Sequence, residues 1–213
     1  PEQMQVPTYA YYIGILLGAA IAPRLTRRVE KKVLVLVGLG MVCLSWTVLS
    51  GLRAAGVFTP EGLAAVPPLT ANVFLAGIGV GFCAIAYPSM MADAADEHEH
   101  LFERRREGLY FSGLAFAAKG ATGVGVLAAG FAIDLLGFPE QAGRDVSATL
   151  PEPLLARLAL AWGPAAALIG LIAMAIFTAY AITRQRHVVI AGAIRGRRAE
   201  QAAMTAAAAS RTA

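Results

Sequence analysis

The stretch LYFSGLAFAAKGATGVGVLAAGFAIDLL, residues 109–136, decides how this chain is read. About 20 apolar residues at 1.5 Å per residue suffice for a helix to cross a hydrocarbon layer of about 30 Å, so this run is long enough to span a membrane. One base, Lys119, interrupts it. Ten residues from the start of the run, at about 15 Å of depth, Lys119 falls near the centre of such a layer. An ammonium there costs about 2.5–3.5 kcal/mol or more, so it requires an interior cavity or a partner and marks a functional site by default. The alternative, a lysine that snorkels to the interface, asks its stem to cover too much depth. The same run carries Gly113, Gly120, Gly123, Gly125 and Gly130, a small-residue surface that lets neighbouring helices approach or slide. Asp134 lies toward its far end and is expected at the interface.

The rest of the chain has the same character. Hydrophobic residues make up 57%, charged residues 15%, and the mean hydropathy is +0.61, whereas soluble domains are about 25% charged. Five runs are long enough to span: 6–22, 33–52, 71–91, 109–136 and 158–182. Backbone groups in lipid must be bonded internally, and these runs are rich in Leu and Ala without the ten-residue alternation of a barrel strand. The expected fold is an all-α membrane protein with five transmembrane helices, 1–183 forming the bundle and 184–213 a basic tail. Cys43 and Cys83 both fall inside spans, where they read as small apolar packing residues and suggest neither a disulfide nor a metal site. The chain opens at Pro1, without an initiator Met, just ahead of an abbreviated span, which reads as part of a longer protein.

The net charge of +4 does not point to nucleic acid, because its distribution follows the spans. Lysine and arginine number five in 24–32, three in 104–106 and six from Arg184 onward, against one in 53–70 and two in 138–157. By the positive-inside rule the three basic segments are cytoplasmic, which puts the N-terminus of the chain outside and its C-terminus inside.

In order along the chain, Pro23 is expected to stop the first helix ahead of the basic loop, and Gly38, Gly40, Ser45 and Ser50 offer close contacts on the second. The third span carries Gly77, Gly79 and Gly81 in one half and Pro88, a candidate kink, in the other. Then comes DAADEHEHLFERRREG, in which Asp93, Asp96, Glu97, Glu99, Glu103 and Glu107 mix with Arg104, Arg105 and Arg106. Asp93, Asp96 and Glu99 are spaced by three and share one helical face. A network of inter-helix ion pairs, made and broken as the cytoplasmic side opens and closes, is one reading, and a solvated charged loop is another. Glu97, His98, Glu99 and His100 admit a metal reading by residue type, although neighbours on a helix point in different directions. Trp162 fits an interfacial anchor of the last span. The tail is basic, then Ala-rich, and is expected to lie on anionic lipid or be disordered, with no visible partner for His187.

Taken together, MMADAADEHE, then RRREGLYFSGLAFAAKG, then a Gly/Ala-rich helix ending in LLGF resembles the glycoside–pentoside–hexuronide cation symporters, the melibiose-carrier branch of the major facilitator superfamily. The basic APRLTRRVEKK segment is similar to the superfamily's loop between helices eight and nine. The resemblance implies that the chain covers helices eight to twelve. It places Asp93, Asp96, Glu99, Arg105 and Glu107 on the charged loop joining helices ten and eleven, as a cytoplasmic gate network. It places Lys119 and Gly120 on the helix-eleven Lys-Gly pair, whose lysine in that family lies beside the sugar and cation sites. Two departures concern the solute: Ala84 stands where the melibiose carriers have a sugar-stacking tryptophan, and Leu114 and Ala115 replace polar neighbours. Sugar hydroxyls are costly to bury unsatisfied, so these changes bear on a galactoside-like substrate.

The function so implied is cation-coupled symport of a small organic solute, a sugar or glycoside among the candidates, by alternating access. No cofactor is expected beyond Na⁺ or H⁺ as coupling ion. The expected partners are the solute, the lipid bilayer and the missing N-terminal half of the same transporter, and the expected location is a bacterial inner membrane. The reading from another class is a non-transporting scaffold or partner subunit in which Lys119 only holds helices together. An enzyme is not expected, because no Ser/His/Asp or metal constellation appears at membrane depth.

Overall fold

The computed structural model describes residues 5–58, 62–139 and 150–212. Seven helices follow in order: α1 (Val6–Leu25), α2 (Lys31–Ala54), α3 (Val66–Phe102), α4 (Glu107–Leu135), α5 (Glu152–Leu160), α6 (Ala166–Phe177) and α7 (Arg184–Thr212). A 3₁₀ turn, Gly62–Ala65, leads into α3, and a π turn, Ala161–Ala165, joins α5 to α6. No strand occurs among the described residues. Among the described residues, five helical segments are long and apolar enough to cross a membrane: Val6–Leu25, Lys31–Ala54, Gly62–Phe102, Glu107–Leu135 and Glu152–Phe177. The fold is the all-α membrane architecture read from the sequence.

Several helix ends differ from the hydropathy limits, each for a physical reason. Helix α1 runs through Pro23 to Leu25. So near the end Pro23 costs a single backbone bond, and Thr26 closes the turn by donating its N–H to the Ala22 carbonyl and its hydroxyl to that of Pro23. Helix α3 starts at Val66, with Pro67 and Pro68 in its first turn, where their missing N–H groups cost nothing. Apolarity ends near Met91, yet α3 continues to Phe102, because acidic residues and histidine are tolerated in a helix once it leaves lipid. Its 37 residues reach about 55 Å, well beyond a hydrocarbon layer of about 30 Å. Glu103, with a left-handed φ of 56°, ends it. The last span begins earlier than hydropathy suggests, at Glu152, and Pro164, which lacks an N–H, lies within its π turn. The tail is a helix rather than disordered chain, as its Ala, Arg, Gln and Glu content favours.

The chain divides into two units, Pro1–Ala86 with Ala118–Ala179, and Tyr87–Ala117 with Tyr180–Ala213. In the first, glycines set the packing. Gly14 and Gly18 of α1 lie against Gly77 and Gly81 of α3, both pairs four residues apart. A Cβ on any of the four would run into a backbone carbonyl of the facing helix: Phe74 for Gly14, Ile78 for Gly18, Tyr11 for Gly77, Ile15 for Gly81. Gly79, on another side of α3, meets Gly38 of α2, where a Cβ on either would stand 2.5 Å from the other's carbonyl oxygen. Such contacts let backbones pack where lipid supplies no hydrophobic drive.

Polar groups complete the α2–α3 seam. The Asn72 amide donates to the Ser45 carbonyl at 2.9 Å, and the buried Ser45 hydroxyl donates to the Asn72 carbonyl at 3.3 Å. Helix α2 also packs against α5, the π turn and α6. Gly163 sits against Ser50 and the Trp46 carbonyl, Gly170 against the thiol of Cys43. The Lys32 ammonium donates to the Thr178 carbonyl at the end of α6. Both cysteines are free, and Cys43 is buried as a small packing residue.

In the second unit, α7 lies along the charged end of α3. Ile190 and Ile194 are buried, and His187 and Arg197 are half-buried, a spacing of three and four that marks one face of α7.

Candidate functional site

Lys119 lies about 18 Å along α4 from Glu107 and about 24 Å from Leu135, at 1.5 Å per residue, close to the middle of the helix. Among the described residues no α4 side chain is buried, and Phe116, Val124 and Phe131 are exposed over two thirds or more of their surface. A Cβ added at Gly113, Gly120, Gly123, Gly125 or Gly130 would meet nothing within 4 Å. The other polar side chains near Lys119 are satisfied by their own helix. The Thr122 hydroxyl donates to the Ala118 carbonyl at 2.9 Å, and Ser112 donates to that of Leu109 at 3.0 Å. Lys119 itself is exposed, and no carboxylate among the described residues reaches it. Asp134 is exposed fifteen positions further along the same helix. Lys119 and Gly120 thus sit on an uncovered small-residue surface. Of the two circumstances that would make a midmembrane ammonium tolerable, a cavity within this chain or a partner, the first is not formed by the described residues.

The charged cluster is, by contrast, densely paired. The Arg105 guanidinium donates from Nε and Nη2 to Glu107 Oε2 at 3.0 and 2.6 Å, and its Nη1 lies 3.6 Å from Glu99. The bonds and charge of Glu107, with Glu99 and Asp96 behind it, hold the Arg105 guanidinium above its usual range. Glu99 accepts twice from Arg198 Nη2, at 2.6 and 2.9 Å. Asp96 and Asp93 both face His187 Nε2, at 3.1 and 3.4 Å. Of the five residues expected in a gate network, Arg105 therefore links Glu99 to Glu107, while Asp93 and Asp96 turn to α7.

That tail helix supplies the partners sequence reading missed. Arg186 pairs with Glu97, and Arg197 with Glu103 at 3.1 Å, while Arg197 also donates to the His100 carbonyl at 3.1 Å and faces His100 Nδ1 at 3.2 Å. The expectation that His187 lacks a partner is corrected, since two aspartates hold it. A signal was present: 187, 190, 194, 197 and 201 repeat by three and four in the basic tail, and 93, 96, 99 and 103 do so in the acidic segment. The Tyr180 phenol, near the start of the tail, donates to the Met90 carbonyl at 3.5 Å. Burial, then the charges of Asp93 and Glu97, push it up to about 12.

The metal reading of Glu97, His98, Glu99 and His100 is not supported by their directions. Glu97, Glu99 and His100 face arginines, and His98 stacks on Phe102 and Tyr110, at 4.7 and 5.8 Å between ring centres. Among the described residues no three His, Cys, Asp or Glu side chains gather in a way that could hold a metal ion.

Neither curated proteins nor solved structures yield a match to this chain. The family model described as MFS/sugar transport protein does match, over residues 1–184, stopping where α7 begins. With its apolar spanning helices and this match over most of its length, the chain is an integral membrane transport protein belonging to the MFS/sugar transport protein family of the major facilitator superfamily.

Proposed function

We propose that the chain forms the helix-eight to helix-twelve portion of a cation-coupled symporter, akin to the melibiose-carrier branch, for a small polar or amphiphilic organic solute. The observation that carries this reading is Lys119, an ammonium at the midpoint of α4 on an uncovered small-residue face. In this superfamily two halves rock about a midplane site. A lysine at that depth needs a compensating anion, which a carboxylate of the N-terminal half or an anionic group of the solute supplies when α4 is covered. Gly120 keeps the approach to it open. Na⁺ or H⁺ drives the movement. The basic clusters orient the chain with Val6 toward the outside and α7 in the cytoplasm of a bacterial cell. On that side Asp93, Asp96, Glu99, Arg105 and Glu107 form a gate network whose pairs exchange as access alternates. A sugar or glycoside fits the family, and Ala84, Leu114 and Ala115 argue for a less hydroxylated solute than a galactoside.

The test is uptake driven by a Na⁺ or H⁺ gradient in proteoliposomes of the full-length protein, with Lys119→Ala alongside. Gradient-dependent uptake that falls at least about tenfold in the variant supports the reading, since removing one member of a buried pair costs several kcal/mol. Uptake unaffected by Lys119→Ala removes the lysine from the site. No uptake across a broad solute panel favours the scaffold.

A further inference from the structure

Helix α7 begins where the family match ends, yet it is bound to α3 by a continuous set of pairs. We propose that α7 is a proton-responsive clasp on the charged end of α3, with His187 as the group that sets its grip. Three of its fastenings join an arginine to a glutamate: Arg186 with Glu97, Arg198 with Glu99 and Arg197 with Glu103. Histidine is the side chain whose charge changes between about pH 5 and about pH 8. His187 Nε2 faces Asp96 Oδ2 at 3.1 Å and Asp93 Oδ1 at 3.4 Å. A carboxylate only accepts, so Nε2 carries a hydrogen here, and protonating Nδ1 turns the ring into a cation between two anions. Asp93 is 7% exposed, so its oxygens rely on hydrogen-bonding partners such as this ring rather than on water.

The other charged and titratable groups around His187 come from three sides. Asp93, Asp96 and Glu97 stand on α3, and Arg105 on the following linker acts on Asp96. The Tyr180 phenol lies near Asp93 and Glu97, and Arg184 and Arg186 precede His187 on α7 itself. The immediate ring contacts are the two aspartates, so protonation tightens the first turns of α7.

The second histidine of the clasp has the opposite sign. His100 Nδ1 lies 3.2 Å from Arg197 Nη2. A guanidinium only donates, so this nitrogen accepts, and a proton placed on it breaks the contact. Acidification therefore grips α7 at its start and does not tighten it at Arg197. This pattern separates a His187 clasp from a general effect of pH on the protein.

The experiment is hydrogen exchange with mass spectrometry on the full-length protein in lipid nanodiscs, at about pH 5.5 and about pH 8, with rates corrected for intrinsic chemistry. In the native protein, amides of residues 184–191 are expected to be roughly five- to tenfold more protected at the lower pH, the worth of one charge-assisted bond. His187→Gln, which donates at both pH values but stays neutral, is expected to abolish that difference, and His100→Gln to preserve it. Protection across α2 serves as the check that each variant is folded. A pH difference that survives His187→Gln, or the absence of one in the folded native protein, overturns the proposal.

Discussion

Two regions of this chain are both lined with glycine and have opposite surroundings. Along the facing sides of α1, α3 and α2, Gly14, Gly18, Gly38, Gly77, Gly79 and Gly81 are pressed against backbone carbonyls of neighbouring helices. Along α4, Gly113, Gly120, Gly123, Gly125 and Gly130 face open space. In the first region glycine is a packing device with its partner in place. In the second it clears the surface around Lys119, the charge that the closed seam lacks. Small residues in a membrane helix thus mark where a backbone is approachable, whether or not a neighbour stands against it.

The sharpest way to break this comparison is to fill one glycine on each side. Gly77→Leu places atoms where the Tyr11 carbonyl stands and is expected to cost about 3 kcal/mol or more, the upper end for overpacking, because backbone cannot move aside as a side chain can. Thermal melting of the purified full-length protein should show a loss of several degrees or failure to fold. Gly123→Leu on α4 is expected to change the melting temperature of the same full-length protein far less, since a Cβ there meets nothing within 4 Å. If the two variants melt alike, the distinction fails.

A smaller effect tests whether α4 is a working face. Gly120→Leu should reduce uptake in proteoliposomes by roughly tenfold, a cost of about 1.4 kcal/mol in the transport step, while the amount of folded protein stays constant. A matching fall in folded protein would instead make Gly120 a packing residue like Gly77. On the closed side, Asn72→Ala removes the amide that donates to the Ser45 carbonyl. It should cost about 1 kcal/mol, the usual worth of an interhelical hydrogen bond in a membrane protein, read as a lower melting temperature.

The last effect is confined to alkaline pH and lies beyond Phe177, where the final spanning segment ends rather than at residue 182. The Tyr180 phenol is pushed up to about 12, first by burial and then by Asp93 and Glu97. A group whose folded value exceeds its unfolded value of about 10 contributes fully below the lower figure and loses its contribution as pH rises through the upper one. Melting temperature should therefore fall between about pH 10 and about pH 12, and Tyr180→Phe should flatten that fall. An unchanged slope in the variant would assign the alkaline loss to other groups.

The spans were legible in the sequence because lipid imposes a strong requirement: an apolar run near 20 residues matches the thickness of the hydrocarbon layer and little else. Lys119 was legible for the converse reason. Helix ends were not, because hydropathy reports contact with lipid whereas a helix continues for as long as its backbone bonds can be made, as α3 does for eleven residues beyond Met91. Which glycines are covered was also hidden, since Gly77 and Gly123 differ only in what distant segments place opposite them. The partners of the charged cluster were missed because Asp96 and His187 are 91 positions apart, and a basic tail reads by itself as solvated or lipid-bound.

Lys32 shows how one residue serves two moments in the life of a membrane protein. It belongs to the basic segment that orients the first two helices as the chain enters the bilayer, a task done before α6 has been synthesised. In the folded protein its ammonium closes the end of α6 at the Thr178 carbonyl, 146 positions downstream. Charge swaps in this loop, the usual probe of insertion, would therefore also fray a helix that has nothing to do with insertion. Lys32→Gln with Arg28 left in place separates the two, because the loop keeps most of its orienting charge while α6 loses its cationic cap.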